Sequence, residues 1–284
     1  PYFKVIDKDK DMTISPRLYN NNNLFVQTEY RQAFKDSSLI TDFSYNKKSG
    51  TNLHFFSKLR GDFDDSFYEM KIETVSNKDY LKKYQITSPL IKNNSVLNSS
   101  FIIETYNDEY NFSSSIDIIE DLAKSNSDKY EYIFPNYKFS KEIGLKNNFF
   151  NSLNFNSSGT YRKFNTNVDE GDLINDIILN SNNQNQFSNF QTDLNFLLKN
   201  TNTYGDKSST YKEDKDSKLF GSVIMNLEYP LIKNNNISKS FLTPMASLRF
   251  SPNKGLNLKN ENKNILNFQD LFIIDRIGKN TVES

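Results

Sequence analysis

Asp7, Asp9 and Asp11 stand at the spacing that opens a calcium-binding loop. Such a loop needs glycine at its sixth position, where the chain turns sharply, and a bidentate carboxylate at its twelfth. Those positions hold Met12 and Leu18, so the three aspartates read as a solvated turn between two strands. His54 is the only histidine and cysteine is absent, which leaves too few ligands for a zinc site. No serine sits in a G-x-S-x-G elbow. Neither a G-x-x-x-x-G-K-[ST] nor a G-x-G-x-x-G loop occurs. The acidic runs Asp62-Phe63-Asp64-Asp65 and Glu213-Asp214-Lys215-Asp216 are flanked by charges of both signs, the pattern of solvated connections. The expectation is a chain with no catalytic residue, no metal and no cofactor. His54 is expected on the polar face of a strand, turned to a lumen or to the surface.

The elements that would position these residues are strands. In Leu24 to Arg31 one face reads Leu, Val, Thr, Tyr and the other Phe, Gln, Glu, Arg. That period of two marks a strand with unlike faces. It recurs from Leu39, Leu53, Tyr68, Phe101, Tyr110, Phe149, Phe190, Val223 and Leu242. Many segments approach the ~9–11 residues of a tilted membrane-spanning strand, and about 12 to 14 strands are expected in all. Short turns (Asn20 to Asn23, Lys35 to Ser38, Asn46 to Gly50, Asn107 to Glu109) contrast with long polar connections (Asp121 to Lys129, Asn200 to Lys218, Asn253 to Asn267). Outer-membrane barrels show that asymmetry between their two ends. Two stretches break the rhythm. Leu173, Ile174, Ile177 and Ile178 fall at helical spacing, so Asp169 to Leu179 reads as a short helix. Asp79 to Tyr84 is another non-strand candidate.

Composition narrows the class. Hydrophobic residues make up 36% of the 284 and mean hydropathy is -0.70, yet aromatic residues reach 14%. Disordered chains are poor in aromatics, whereas strands that meet lipid on one face and water on the other are polar and aromatic together. A soluble sandwich of so many strands should be denser in Val, Ile and Leu. Lys plus Arg equals Asp plus Glu, 35 of each, so no net positive field argues for nucleic acid as a partner. No apolar run approaches the ~18–20 residues of a spanning helix. Pro1-Tyr2-Phe3-Lys4 has neither an initiator methionine nor a leader pattern, so the chain is expected to begin inside a longer protein.

The order of several short motifs resembles the barrel of the lipopolysaccharide-assembly (LptD) family. Pro1-Tyr2-Phe3 is similar to its P-Y-(F/Y) strand, and Asp11 to Tyr19, with Pro16, to its D-x-T-(I/L)-(S/T)-P-(R/H)-x-(Y/M) strand. Glu29-Tyr30-Arg31 follows. Asn77 to Leu81, with Asp79 and Tyr80, resembles D-x-(D/S)-Y-(F/L). Phe134-Pro135, Glu228-Tyr229-Pro230, Leu242-Thr243-Pro244 and Leu271 to Arg276, with Phe272, then keep the family order. Thr243 stands where the family has glutamate, and Ile277 to Asn280 depart from its glycine and acidic positions.

This resemblance spans nearly the whole chain. It implies an all-β fold: an antiparallel up-and-down transmembrane β-barrel, of which residues 1–284 are an incomplete part. The N-terminal jellyroll, the first strand and the later strands would lie elsewhere. It also implies an outer-membrane location and a transport role without catalysis. Lipopolysaccharide would arrive from a periplasmic bridge protein through the jellyroll and leave sideways between the first and last strands. An LptE-type lipoprotein would plug the barrel. Pro1 matches one of two prolines that weaken the seam, since proline donates no backbone hydrogen bond; it is the expected lateral-gate residue. The acidic runs could then meet lipopolysaccharide phosphates through divalent ions. Unpaired terminal strands imply aggregation of the isolated piece. The alternatives are a porin- or receptor-type barrel for small solutes, and a soluble β-rich binding protein.

Overall fold

The computed structural model describes residues 1–19, 23–46, 52–146, 149–181, 184–187, 190–234, 238–251, 262–263, 268–276 and 281–282. The chain is all-β, with strands joined in sequence into a 14-strand antiparallel path beside which one short strand also pairs. Two compact units divide it, residues 1–137 with 160–169, and residues 138–159 with 170–284.

The first unit is a meander of β1 (Tyr2–Asp7), β2 (Lys10–Tyr19), β3 (Asn23–Ala33), β4 (Ser37–Asn46), β5 (Asn52–Phe63), β6 (Ser66–Val75), β7 (Val96–Tyr106) and β8 (Asn111–Asp121). Its tight turns use residues that tolerate them. Asp64 takes φ 44° between β5 and β6, a left-handed conformation that Asp and Asn accept more readily than most. Between β7 and β8, Asn107 Oδ1 accepts the amides of Glu109 and Tyr110 at 3.0 and 2.9 Å. Asp7 ends β1 and Lys10 begins β2, so the aspartate triplet is the expected turn.

Antiparallel alternation puts the connections at 8–9, 34–36, 64–65 and 107–110 at one end of this unit. The connections at 76–95 and 122–129 fall at the other end; short turns were expected at Asn20 to Asn23 and Asn46 to Gly50. They lie mostly outside the described residues.

Register sorts the side chains. In β2 to β8 one face presents Met12, Ile14, Pro16 and Leu18, then Leu24, Val26, Thr28 and Tyr30, then Leu39, Thr41, Phe43 and Tyr45. Leu53 to Leu59, Tyr68 to Thr74, Phe101 to Thr105 and Phe112 to Ile118 continue it at every second residue. None of these positions is charged. The opposite face carries Asp11, Arg17, Glu29, Arg31, Asp42, Lys58, Glu69, Glu73 and Asp117. The uncharged face is the exposed one: Leu18 is 81% and Tyr45 51% accessible, while Asp42 and His54 opposite are 0% and 1%.

The core lies on the charged side of β3 and β5 and reaches the start of β7. Phe25, Phe56 and Leu97 from the strands meet Tyr80, Leu81, Tyr84, Ile86 and Leu90 from the 76–95 connection. Each such side chain, fully buried, contributes about 1.5–3 kcal/mol. That is enough to hold a connection with one helical turn, α1 (Tyr80–Lys83), against the sheet. The non-strand reading of Asp79 to Tyr84 thus stands.

β9 (Tyr130–Gly144), β10 (Phe150–Phe164) and β11 (Val168–Ser181) contribute residues to both units. The second unit continues with β12 (Gln184–Phe187), β13 (Phe190–Asp206), β14 (Asp214–Glu228), β15 (Leu231–Asn234), β16 (Lys239–Leu242) and β17 (Met245–Phe250). The helix expected at Asp169 to Leu179 is instead strand β11. Leu173, Ile174, Ile177 and Ile178 fall at helical spacing and divide two and two between the faces of a strand, so alternation did not mark it, but β-branched side chains favour the strand. Cross-strand bonds decide it: Ser157 Oγ donates to Asn175 Oδ1 at 2.8 Å and Asn180 Nδ2 to Ser152 Oγ at 3.1 Å. The loop expected at Asn200 to Lys218 shrinks to residues 207–213. Its polar side chains satisfy one another across the ladder, as where Ser217 Oγ donates to Asn202 Oδ1 at 2.7 Å. Most of the expected connection Asn253 to Asn267 lies outside the described residues.

This unit is sided as well. Leu194, Phe196 and Leu198 share a face with Val223, Met225 and Leu227 and with Ala246, Leu248 and Phe250. Leu248 and Phe250 are 70% and 68% exposed. Lys199, Ser222, Asn226 and Arg249 point the other way.

Candidate functional site

The 76–95 connection is shaped locally before it meets the sheet. Asn77 Oδ1 accepts the Asp79 amide at 3.0 Å, turning the chain into α1. Gln85, at φ 47°, ends that turn, and the Ile86 amide bonds the Leu81 carbonyl at 3.0 Å. Asp79 stays exposed, while Tyr80 and Leu81 point inward and are buried.

Tyr80 reaches a chain of polar groups on the charged face of β3, β4 and β5. Its hydroxyl lies 2.8 Å from Ser44 Oγ, which lies 2.6 Å from His54 Nδ1. His54 Nε2 is 3.2 Å from Asp42 Oδ1. Gln27 Nε2 spans both Asp42 oxygens at 3.1 and 3.0 Å and also reaches the Thr87 carbonyl at 3.1 Å. Arg17 Nη1 donates to the Tyr84 carbonyl at 3.0 Å, with the guanidinium over the Phe25 ring. Phe25 stacks on Tyr84 with ring centroids 5.4 Å apart, and His54 on Phe56 at 4.5 Å.

The donor pattern can be assigned from the acceptors. Asp42 accepts from Gln27 and from His54 Nε2–H, and in that tautomer Nδ1 accepts the Ser44 proton. Ser44 in turn accepts from Tyr80. Burial pushes the Tyr80 phenol above its ordinary value, an effect the Ser44 bond only partly offsets, so Tyr80 remains a protonated donor. Each buried polar atom of this relay thereby has a partner, the condition for such a network to stabilise rather than cost.

Serine, histidine and aspartate in a row invite a nucleophilic reading. Ser44 is 1% exposed and enclosed by His54 and Tyr80. No open position lies about 3 Å from its oxygen where a carbonyl could sit. In this arrangement the relay binds a loop instead. His54, expected to face a lumen or the surface, lies beneath that loop on the face predicted for it.

A second docked segment occupies the other unit. Residues 268–276 begin with a 3-10 turn, Phe268–Phe272, whose terminal rings meet at 6.1 Å. Lys199 Nζ, 4% exposed, donates at 3.0 Å to both Asp176 Oδ2 and Asp275 Oδ2. Arg249 Nη2 donates to the Ile274 carbonyl at 2.9 Å and to Ser222 Oγ at 3.3 Å. Arg276 closes the segment on itself through the Ile273 and Leu271 carbonyls.

The motif residues fall into groups. Tyr80 and Asp79 form the head of the first docked loop, and Arg17, next to Pro16, holds its tail. Pro16 itself is exposed on the uncharged face opposite Val26, beyond Ile14, where the pairing with β1 stops. Pro1 precedes β1 and is exposed. Pro135 lies within β9. Pro230 and Pro244 come together: Leu231 pairs with Leu242 and Glu228 with Met245, so the two prolines interrupt one hairpin at adjacent levels. Phe272 and Arg276 shape the second docked segment, whereas Ile277 to Asn280 lie outside the described residues. Motif spacing did not single out Gln27, Asp42, Ser44 or Lys199. Their signal is the parity of each strand together with its partner's register.

No protein-family model and no curated protein matches this chain. Among the described residues no group of His, Cys, Asp and Glu could hold a metal ion.

Proposed function

We propose that the chain is part of an outer-membrane β-barrel of the lipopolysaccharide-assembly type, serving transport rather than catalysis. The observation that carries this reading is the sidedness of the first unit. Across seven consecutive strands the exposed face carries no charge from Met12 through Ile118 except at two strand ends, Lys10 and Glu120, and the other charges of these strands lie on the opposite face, part of which the 76–95 connection covers. In water that arrangement is inverted; against lipid it is the favourable one. Strands β2 to β8 have 10 to 12 residues, the length that crosses a bilayer at a tilt. Among the described residues no helix is long and apolar enough to cross a membrane.

The charged face would then line a lumen. The docked 76–95 segment would narrow that lumen, beside whatever space an LptE-type lipoprotein fills. The lipopolysaccharide reading itself rests on motif order, to which the convergence of Arg17 with the Tyr80 loop and of Pro230 with Pro244 adds weight. β1 pairs on one side only among the described residues, with Pro1 at its start and Pro16 of β2 just beyond the end of their pairing; neither donates a backbone hydrogen bond. That edge is where the sideways exit would form. Depleting the intact protein in cells is expected to lower surface lipopolysaccharide; an unchanged surface would refute the reading. Ion conductance through the purified barrel without a plug partner would favour a solute channel instead.

A further inference from the structure

At the loop end of the first unit lies a cavity of about 850 Å³, bounded by the start of the 76–95 connection, the β8–β9 connection and the β10–β11 turn. Its size falls in the range of small-molecule sites. Four lysines line it, Lys78, Lys124, Lys129 and Lys163, against one carboxylate, Glu120. The acids around it are occupied. Glu120 holds Lys129 at 2.7 Å, and Asp169 holds Lys163 at 3.6 Å. Asp121 accepts the Ala123 amide at 2.9 Å, and Asp128 is bonded to Thr166. Lys78 and Lys124 enter no ion pair among the described residues; Lys124 reaches only the neutral Asn165 Oδ1, at 3.3 Å.

The remaining wall suits a sugar. Tyr130, Tyr132 and Phe164 present ring surface, with Tyr130 and Tyr132 centroids 6.0 Å apart. Such rings offer an apolar platform with polar edges. Ser125, Asn126 and Thr166 add short hydrogen-bonding groups. Thr166 holds φ 65°, a conformation costly for a β-branched residue and one that clusters at ligand sites. Cations, hydroxyl-matching side chains and aromatic faces thus converge on one hollow.

We propose that this cavity binds a phosphorylated saccharide. Its phosphate would lie between Lys78 and Lys124, and its ring against Tyr132. The inference stands on the cavity and not on the transport reading, so either can fail without the other. The test titrates the full chain in detergent with glucose 1-phosphate, inorganic phosphate and glucose, followed by calorimetry. Glucose 1-phosphate is expected to bind at least tenfold more tightly than either of the other two. Replacing Lys78→Gln and Lys124→Gln together should weaken it at least tenfold, and Tyr132→Leu should reduce its margin over inorganic phosphate. Lys35→Gln, in a turn at the opposite end, should change nothing. All three substituted lysines are exposed, so loss of folding does not confound the comparison. No binding, equal binding of glucose, or full affinity in the double variant would overturn the proposal. Displacement by micelles of a phosphorylated glycolipid would assign a membrane-borne ligand, and retention a soluble one; both results uphold the site.

Discussion

Two segments lie on charged sheet faces, one in each unit, and they are held by different physics. The 76–95 connection brings its own apolar residues and joins them to a hydrogen-bonded relay through Tyr80, Ser44 and His54. Residues 268–276 bring a carboxylate, Asp275, to a buried lysine that already faces Asp176. The first is held chiefly by burial and saturated hydrogen bonds, the second by a cation shared between two anions. A buried cation is indispensable once its partners are in place, because its removal leaves charges unpaired. A neutral hydroxyl can be deleted at far smaller loss.

The sharpest break in this comparison is Lys199→Ala. Removing one partner of a buried pair costs about 3–5 kcal/mol, and here it would leave Asp176 and Asp275 facing each other. Release of 268–276, read as new proteolytic cleavage there, is the expected result. Lys199→Ala with Asp275→Asn should recover part of that loss, and no recovery would undo the shared-cation account. Tyr80→Ala should cost nearly as much, about 3–4 kcal/mol by analogy with large-to-small core substitutions. Cleavage should then fall within 76–95 while the second unit keeps its resistance.

Asp42→Asn tests the relay itself. It keeps the shape but replaces an acceptor that takes protons from both Gln27 and His54, and about 1–3 kcal/mol should be lost. Tyr80→Phe removes only the hydroxyl, for about 1 kcal/mol. The smallest effect is at high pH. Because burial raises the Tyr80 phenol, loop docking is complete below the unfolded phenol value of about 10. It weakens as pH climbs through the folded value, since the charged form is disfavoured in place. Protease sensitivity of the loop between pH 9 and 12 should show this step in the native chain and not in Tyr80→Phe.

Much of the strand pattern was legible because each strand has unlike neighbours on its two faces. Leu24 to Arg31 and Leu39 to Asn46 announce themselves by parity alone. The break at Asp79 to Tyr84 was legible too, since nothing there alternates. β11 was misread because Leu173, Ile174, Ile177 and Ile178 stand at helical spacing and split evenly between the two faces of a strand, and only the cross-strand bonds at Asn175 and Asn180 reveal it. Residues 200–218 looked like a loop because polarity within one strand cannot reveal that the partner strand is equally polar. The relay was invisible for another reason. Ser44 and His54 are cross-strand partners, but their turn lies between residues whose pairing no local pattern specifies, and Tyr80 arrives from a connection 26 residues after His54 in the numbering.

The paired prolines of the long hairpin have a mechanical meaning. Tyr229 N donates to the Pro244 carbonyl at 3.0 Å, yet Pro244 can return no bond to Tyr229, and Pro230 donates none from the opposite edge. The register, however, runs unbroken from Val223 and Phe250 out to Asn234 and Lys239. A slip of one residue would invert every side chain beyond the break, so the joint is compliant in bending and stiff against sliding. β15 and β16 are therefore held to the register that β14 and β17 set, although two rungs of the ladder between them lack a donor.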